Sequence, residues 1–198
     1  MTKLSIRPLT PDLWPALEEL FGPAGACGGC WCMYWRIGSA YQKMPREKNR
    51  AAFKRIVQAG PPPGLLAFND LAAVGWCQLT PRDALAALAR SRMSARIDDV
   101  PVWSLSCFYI RRGHRGKGVM RALIAAAVDT ARKAGAPSLE AYPVAIASGK
   151  RSASSIYTGV ASTFEKAGFE TVAAHVPHRP IMRHDLNRTR TQPRKIAS

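Results

Sequence analysis

Apolar positions along the chain switch between a two-residue and a three-to-four-residue period, and the switches mark out the elements. Leu4-Ser-Ile-Arg-Pro-Leu9 alternates and predicts a short first strand. Thr10 or Asp12 then offers a helix cap with Pro11 near the first turn, and Leu13, Leu17 and Leu20 give that helix an apolar face. Gly22 to Gly29 reads as loop, and a second helix follows Pro45, with Phe53, Ile56 and Val57 inward. Gly60-Pro-Pro-Pro-Gly64 stops it. Leu65 to Phe68 and Ala72 to Leu79 predict two strands joined by a hairpin turn at Asn69-Asp70. Asp83 to Arg96 reads as a partly helical surface insertion, and Val102 to Ile110 as the most strand-like run in the chain. A helix is expected from about Gly118 to Ala134, stopped by Gly135 and Pro137. Leu139 to Val144 predicts a strand, Ser154 to Ala167 a helix interrupted by Gly159, and Phe169 to His175 and Pro180 to Leu186 two closing strands.

That order makes about seven strands, with antiparallel hairpins early and an alternating segment later. It predicts a mixed α/β sheet in one domain over residues 1–186. Residues 187–198 carry Arg188, Arg190, Arg194 and Lys195 with no acid, and are expected to be a disordered basic tail. No run approaches the roughly 20 apolar residues that span a bilayer. The first residues lack the apolar core of a secretory signal, so a cytoplasmic location is expected. The five cysteines are odd in number, which argues against a disulfide framework. Lys and Arg outnumber Asp and Glu by 29 to 13, a net charge of +16. Such a surplus suits a phosphorylated cofactor, RNA or an acidic protein, and equally suits simple solubility.

The segment richest in chemistry is Ser104-Leu-Ser-Cys-Phe-Tyr-Ile-Arg-Arg-Gly-His-Arg-Gly-Lys-Gly-Val-Met-Arg-Ala-Leu123. A strand runs into a basic, glycine-rich turn, and the turn opens a helix whose first N–H groups have no internal partner. Arg115 and Lys117 add full charges, and the whole makes a cradle for a pyrophosphate. Met120, Leu123, Ile124, Ala127, Val128 and Ala131 recur at helical spacing and fix that helix on the sheet. A Walker-type loop is excluded because no Gly-Lys-Ser/Thr is present, and no early βαβ unit precedes the turn as a dinucleotide fold requires.

This segment resembles the cofactor motif of the GNAT acetyltransferases, in which a strand ending in a valine-like residue meets a turn of the form Arg/Gln-x-x-Gly-x-Gly/Ala. Ile110 takes the valine position, and Arg115-Gly-Lys-Gly118-Val-Met120 the turn, with Met120 in place of the usual small residue. Ser162-Thr-Phe-Glu-Lys-Ala-Gly-Phe169 is similar to the family's late helix and its Gly-Phe strand start. The resemblance implies a GNAT-like, mostly antiparallel sheet with helices on both faces, acetyl-CoA as cosubstrate and an amine acceptor. It further implies that backbone groups of Phe108, Tyr109 and Ile110 pair with the pantetheine arm. Backbone N–H groups of Arg115, Gly116, Lys117, Gly118, Val119 and Met120 would hold the pyrophosphate. The acceptor amine would attack the thioester directly.

The family's usual proton donor is a tyrosine where this chain has Phe164. Tyr157, seven residues earlier, is the candidate replacement or a cofactor contact, with a buried packing tyrosine as the alternative. Glu140, an acid in an apolar strand with Tyr142 on the same face, is the candidate base; an edge-exposed or salt-bridged glutamate is the alternative. His114 lies in the turn and suits phosphate or solvent. Cys27, Cys30 and Cys32 are too few for a structural zinc site, so no metal is expected. Trp31, Met33, Tyr34 and Trp35 either wall an acceptor pocket or pack the core. Two further readings stay open: acetylation of aminoacyl-tRNA, which would use the positive charge, and a cofactor-binding module without catalysis. Weak nucleic-acid binding through the basic surface and tail, no membrane association, and a monomer or homodimer complete the expectations.

Overall fold

The computed structural model describes residues 4–146 and 155–187. The expected basic tail therefore lies outside the described residues from 188 onward. Seven strands form one sheet: β1 (Leu4–Pro8), β2 (Gly64–Asn69), β3 (Ala72–Pro81), β4 (Trp103–Ile110), β5 (Ser138–Ala141), β6 (Glu170–Val176) and β7 (Arg179–Asp185). Their order is β1-β2-β3-β4-β5-β7-β6, and every pairing except β4 with β5 is antiparallel. The longer helices are α1 (Trp14–Phe21), α4 (Arg46–Ala59) and α6 (Val119–Lys133). Short helices lie between them: α2 (Tyr34–Ile37), α3 (Ala40–Lys43), α5 (Ala86–Ala89) and α7 (Ala161–Glu165). No described helix is long and apolar enough to cross a membrane.

Helices cover both faces of the sheet, which explains why β2, β3 and β5 are buried along nearly all their length. On β2, Leu65 and Ala67 pack with Val119, Leu123 and Ala127 of α6. The alternate residues Leu66 and Phe68 pack with Leu17 of α1 and Phe53 of α4. Helix α6 approaches β3 closely at Gly75, where a Cβ would lie 2.6 Å from Val119 Cγ1. That contact seats the N-terminus of α6 against the sheet.

Three expected elements are shifted. The β2–β3 turn is Asp70-Leu71, because Asn69 still pairs with Ala72. The strand expected to reach Val144 ends at Ala141, two residues before Pro143, which has no N–H for a ladder. The helix expected over Ser154–Ala167 is the short α7, and Ser154 itself lies outside the described residues. Extended pairing displaces its first half: Val144 bridges Val160, Val144 N–H donates to Gly159 O at 2.9 Å, and Ala161 N–H donates to Val144 O at 3.0 Å.

One buried ion cluster ties the sheet together. Glu140 of β5 is 2% exposed. Its Oε1 accepts from Arg82 Nη1 at 2.6 Å and from the Tyr142 hydroxyl at 2.6 Å. Its Oε2 accepts from Arg183 Nη2 at 2.8 Å and Nε at 3.1 Å. Arg82 follows β3, so the cluster spans three chain segments, and Arg183 of β7 extends it to Asp98. Burial and the adjacent carboxylate push the Tyr142 phenol well above its usual range, so it remains a donor. Replacing a buried ion cluster wholesale can be neutral, but removing one partner strands the others. Glu140→Gln is therefore expected to lower the unfolding free energy by about 3 kcal/mol, read from the urea midpoint. Gly75→Val, which forces α6 off β3, should lower it by about 1–3 kcal/mol in the same assay.

Candidate active site

Strands β4 and β5 pair at only three positions, Trp103–Leu139, Ser104–Glu140 and Leu105–Ala141. Beyond them the chain after β5 turns away to Val160, and the second half of β4 loses its parallel neighbour. A cleft of about 810 Å³ opens there. Cys107, Phe108, Tyr109 and Ile110 of β4 line one side. An extended ligand can hydrogen-bond such an open strand edge. In this structure the Phe108 N–H donates to the carbonyl of Tyr157 at 2.6 Å.

At one end of the cleft lies the basic turn. His114, Arg115, Gly116, Gly118, Val119, Met120 and Arg121 all line it. Gly116 and Gly118 have φ values of 71° and 81°, in the left-handed region that side chains disfavour. This conformation swings the chain from the strand into α6 within a few residues. Helix α6 starts without a side-chain cap. Its first N–H groups therefore keep their donors, at the positive end of the helix dipole and beside cationic side chains. An open turn, free backbone donors and positive charge suit a pyrophosphate group. Arg115 Nε donates to Ile110 O at 3.0 Å, which ties the turn to the end of β4.

At the other end stands an aromatic wall. Tyr34, Trp35, Tyr41 and Tyr157 line it, with the thiols of Cys30, Cys32 and Cys107. The rings meet edge to face: Tyr34 lies 4.6 Å from Trp35, 5.9 Å from Tyr41 and 6.2 Å from Tyr157, centroid to centroid. Trp35 Nε1 donates to Ser106 O at 3.0 Å, anchoring the wall to β4. Burial, then the neighbouring Tyr34, push the Tyr157 phenol well up, so it stays protonated. Burial and Cys32 push the Cys30 thiol up to about 11.

Eight of the nine residues expected at the cofactor line this single cleft: Phe108, Tyr109, Ile110, Arg115, Gly116, Gly118, Val119 and Met120. Lys117 is exposed and does not line it. Tyr157 lines it, though from an irregular turn and not from a helix. Glu140 does not line it, and both its oxygens are held by arginines in the cluster described above. Its geometry is the salt-bridged alternative. Phe164 is fully buried, with its ring 6.0 Å from Phe108 and 5.1 Å from Phe169. The aromatic run divides: Trp31 and Met33 are core, Tyr34 lines the cleft, and Trp35 both lines the cleft and packs in a core cluster. Cys107 is partly exposed in the cleft, and Tyr41 and Gln78 carried no sequence signal as lining residues.

Residues 31–151 match the family model described as Acetyltransferase (GNAT) family. No curated protein sequence matches the chain. Among solved structures, yncA from Salmonella typhimurium, determined with its cofactor acetyl-CoA, is 16% identical with a TM-score of 0.55, over 95% of this chain and 96% of that one. The PaiA N-acetyltransferase from Thermoplasma acidophilum, in complex with coenzyme A, is 18% identical with a TM-score of 0.52, over 92% and 99%. A ribosomal-protein-alanine N-acetyltransferase from Brucella melitensis is 19% identical with a TM-score of 0.54, over 91% and 99%. These structures share the mixed sheet, and the family model spans more than half the chain. The divergence of β4 and β5, the glycine turn and the uncapped α6 fall within the matched region: the chain belongs to the GNAT acetyltransferase family.

Proposed function

We propose that the protein is an acetyl-CoA-dependent N-acetyltransferase that acts by direct attack of an acceptor amine on the thioester. One observation carries the reading: the open edge of β4 and the uncapped N-terminus of α6 line the same cleft. The first suits an extended amide-bearing arm, and the second a pyrophosphate. Acetyl-CoA has both, and it supplies an activated acetyl group. Backbone groups of Phe108 to Ile110 would hold the arm, with the Phe108 N–H exchanging its Tyr157 carbonyl for the ligand. Backbone N–H groups of the 115–120 turn, with the Arg115 and Arg121 side chains, would hold the phosphates.

The donor role falls to Tyr157. Tyr157 lines the cleft and burial holds its phenol protonated, so it can give a proton to a departing thiolate. Phe164 has no proton to give. Glu140 is best read as structural, since its lone pairs already serve two guanidinium groups and a phenol.

The test is calorimetric titration of acetyl-CoA into the wild type and two variants. Wild-type binding is expected. Gly118→Glu, which puts bulk and negative charge at a left-handed position, should abolish it. Arg115→Ala should weaken it about tenfold, as for a lost charge-assisted hydrogen bond. A folded wild type that does not bind acetyl-CoA overturns the reading.

A further inference from the structure

From the lining of the acceptor end we infer that the acceptor is a flat aromatic amine that carries no positive charge at neutral pH, such as an arylamine. The inference rests on the acetyl-transfer reading above and names its substrate class. Three observations lead to it.

The first is charge. All 13 acidic residues lie in the described parts of the chain, and none lines the cleft. Eight of the acids are engaged by arginines elsewhere: Asp12, Glu18, Glu19, Glu47, Asp83, Asp98, Asp129 and Glu140. Cations instead flank the cleft. Arg115 and Arg121 line its basic end. Behind the aromatic wall, Arg179 donates to Thr158 Oγ1 at 3.3 Å, next to Tyr157. An alkylammonium entering this cleft meets no counter-ion and loses water, which disfavours it doubly.

The second is shape. Tyr34 meets Trp35, Tyr41 and Tyr157 edge to face, and Trp35 tilts against Tyr157, with centroids 4.6–6.3 Å apart. These four residues give the cleft one continuous aromatic lining. A planar ring packs edge or face against such a lining.

The third is the proton balance. An alkylammonium must lose a proton before it can attack. The cleft offers no carboxylate for that, and Glu140 is sealed in its cluster. An arylamine arrives with its lone pair free. Its nitrogen attacks the thioester carbonyl carbon, a C–N bond forms, and the C–S bond breaks with its electron pair leaving on sulfur. The proton released from nitrogen ends on the thiolate, directly or through the Tyr157 hydroxyl. Amine and thioester give amide and thiol, and no external base is consumed. A phenylalanine at position 164 and the engaged Glu140 are then no handicap.

The test uses two isomers, 4-ethylaniline and 2-phenylethylamine, which share every atom but place nitrogen on the ring or on the chain. Spermidine and an alanine-terminated peptide complete the panel. Coenzyme A release is followed with the full-length protein from pH 6.5 to 9, after calorimetry has established that acetyl-CoA binds. The expected result is that 4-ethylaniline exceeds 2-phenylethylamine at pH 7 by about tenfold or more in kcat/KM, with a flat pH profile. Cys30→Asp, which adds a carboxylate to the wall, should shift the ratio toward the ammonium by about fivefold. Preference for 2-phenylethylamine, spermidine or the peptide, with a rate rising as pH increases, overturns the inference while leaving acetyl transfer intact. Binding of acetyl-CoA with no turnover of 4-ethylaniline also overturns it. Failure to bind acetyl-CoA refutes the parent reading instead.

Discussion

The parallel contact between β4 and β5 ends after three residue pairs, and the cleft exists because it ends there. In a closed sheet the edge of β4 would be satisfied by its neighbour. Two local features set the divergence. Pro143 cannot continue the ladder, and Val144 finds a different partner in Val160. The ion cluster at Glu140 sits one residue before the strands part, paired with Ser104 across the last regular contacts. It fixes β5 to the chain after β3 through Arg82 and to β7 through Arg183, so the opening begins from a rigid hinge line. A hydrophobic residue at 140 would bury as well. It would not tie three segments at one point with directional bonds.

Electrostatics divide the molecule in a way its net charge does not reveal. Arginine is used three ways: beside the glycine turn before α6, as partner to carboxylates at the surface, and as the buried counter-ion of Glu140. Surface pairs such as Arg7–Asp12 contribute little to stability. Their effect on the cleft is indirect, since they hold the acids away from it. What remains in the cleft is positive at one end and aromatic at the other.

Much of this was legible in the sequence, for identifiable reasons. The seven strands and the three longer helices follow from periodicity, because each buries a face at a regular spacing. The cradle follows from a short contiguous motif, in which Gly116, Gly118 and the helix behind them are neighbours in sequence as well as in space. The site fails to read where it depends on contacts distant along the chain. Glu140 looked like a buried acid in search of a role, and its partners Arg82 and Arg183 lie 58 and 43 residues away. Tyr157 was expected on a helix because Ser154 to Ala167 has helical composition. Pairing across to Val144 overrides that local preference. Tyr41 had no signal, since its placement depends on how α2 and α3 fold back over the sheet.

The loop that leads into the aromatic wall is also where the backbone is most contorted. Ala26, Trp31 and Cys32 all hold positive φ, at 69°, 42° and 56°. A left-handed tryptophan followed by a left-handed cysteine is costly and persists only where the surroundings over-determine it. Here they do. The Trp31 ring stacks on Trp14 at 5.9 Å and tilts against Phe21 at 5.5 Å. The Cys32 carbonyl accepts from Gln78 Nε2 at 3.2 Å, and its sulfur from Trp76 Nε1 at 3.0 Å. Gln78 is fixed in turn by the Ser106 hydroxyl, which donates to its Oε1 at 2.9 Å. The loop is thus fastened to β3 and β4 beside the open strand edge, and α2, which carries Tyr34 and Trp35, starts immediately after it. Aromatic burial on one side offsets backbone strain on the other. The basic end of the cleft is built from glycines whose left-handed conformation is unstrained. The aromatic end is held in place against its own local preferences by contacts distant along the chain.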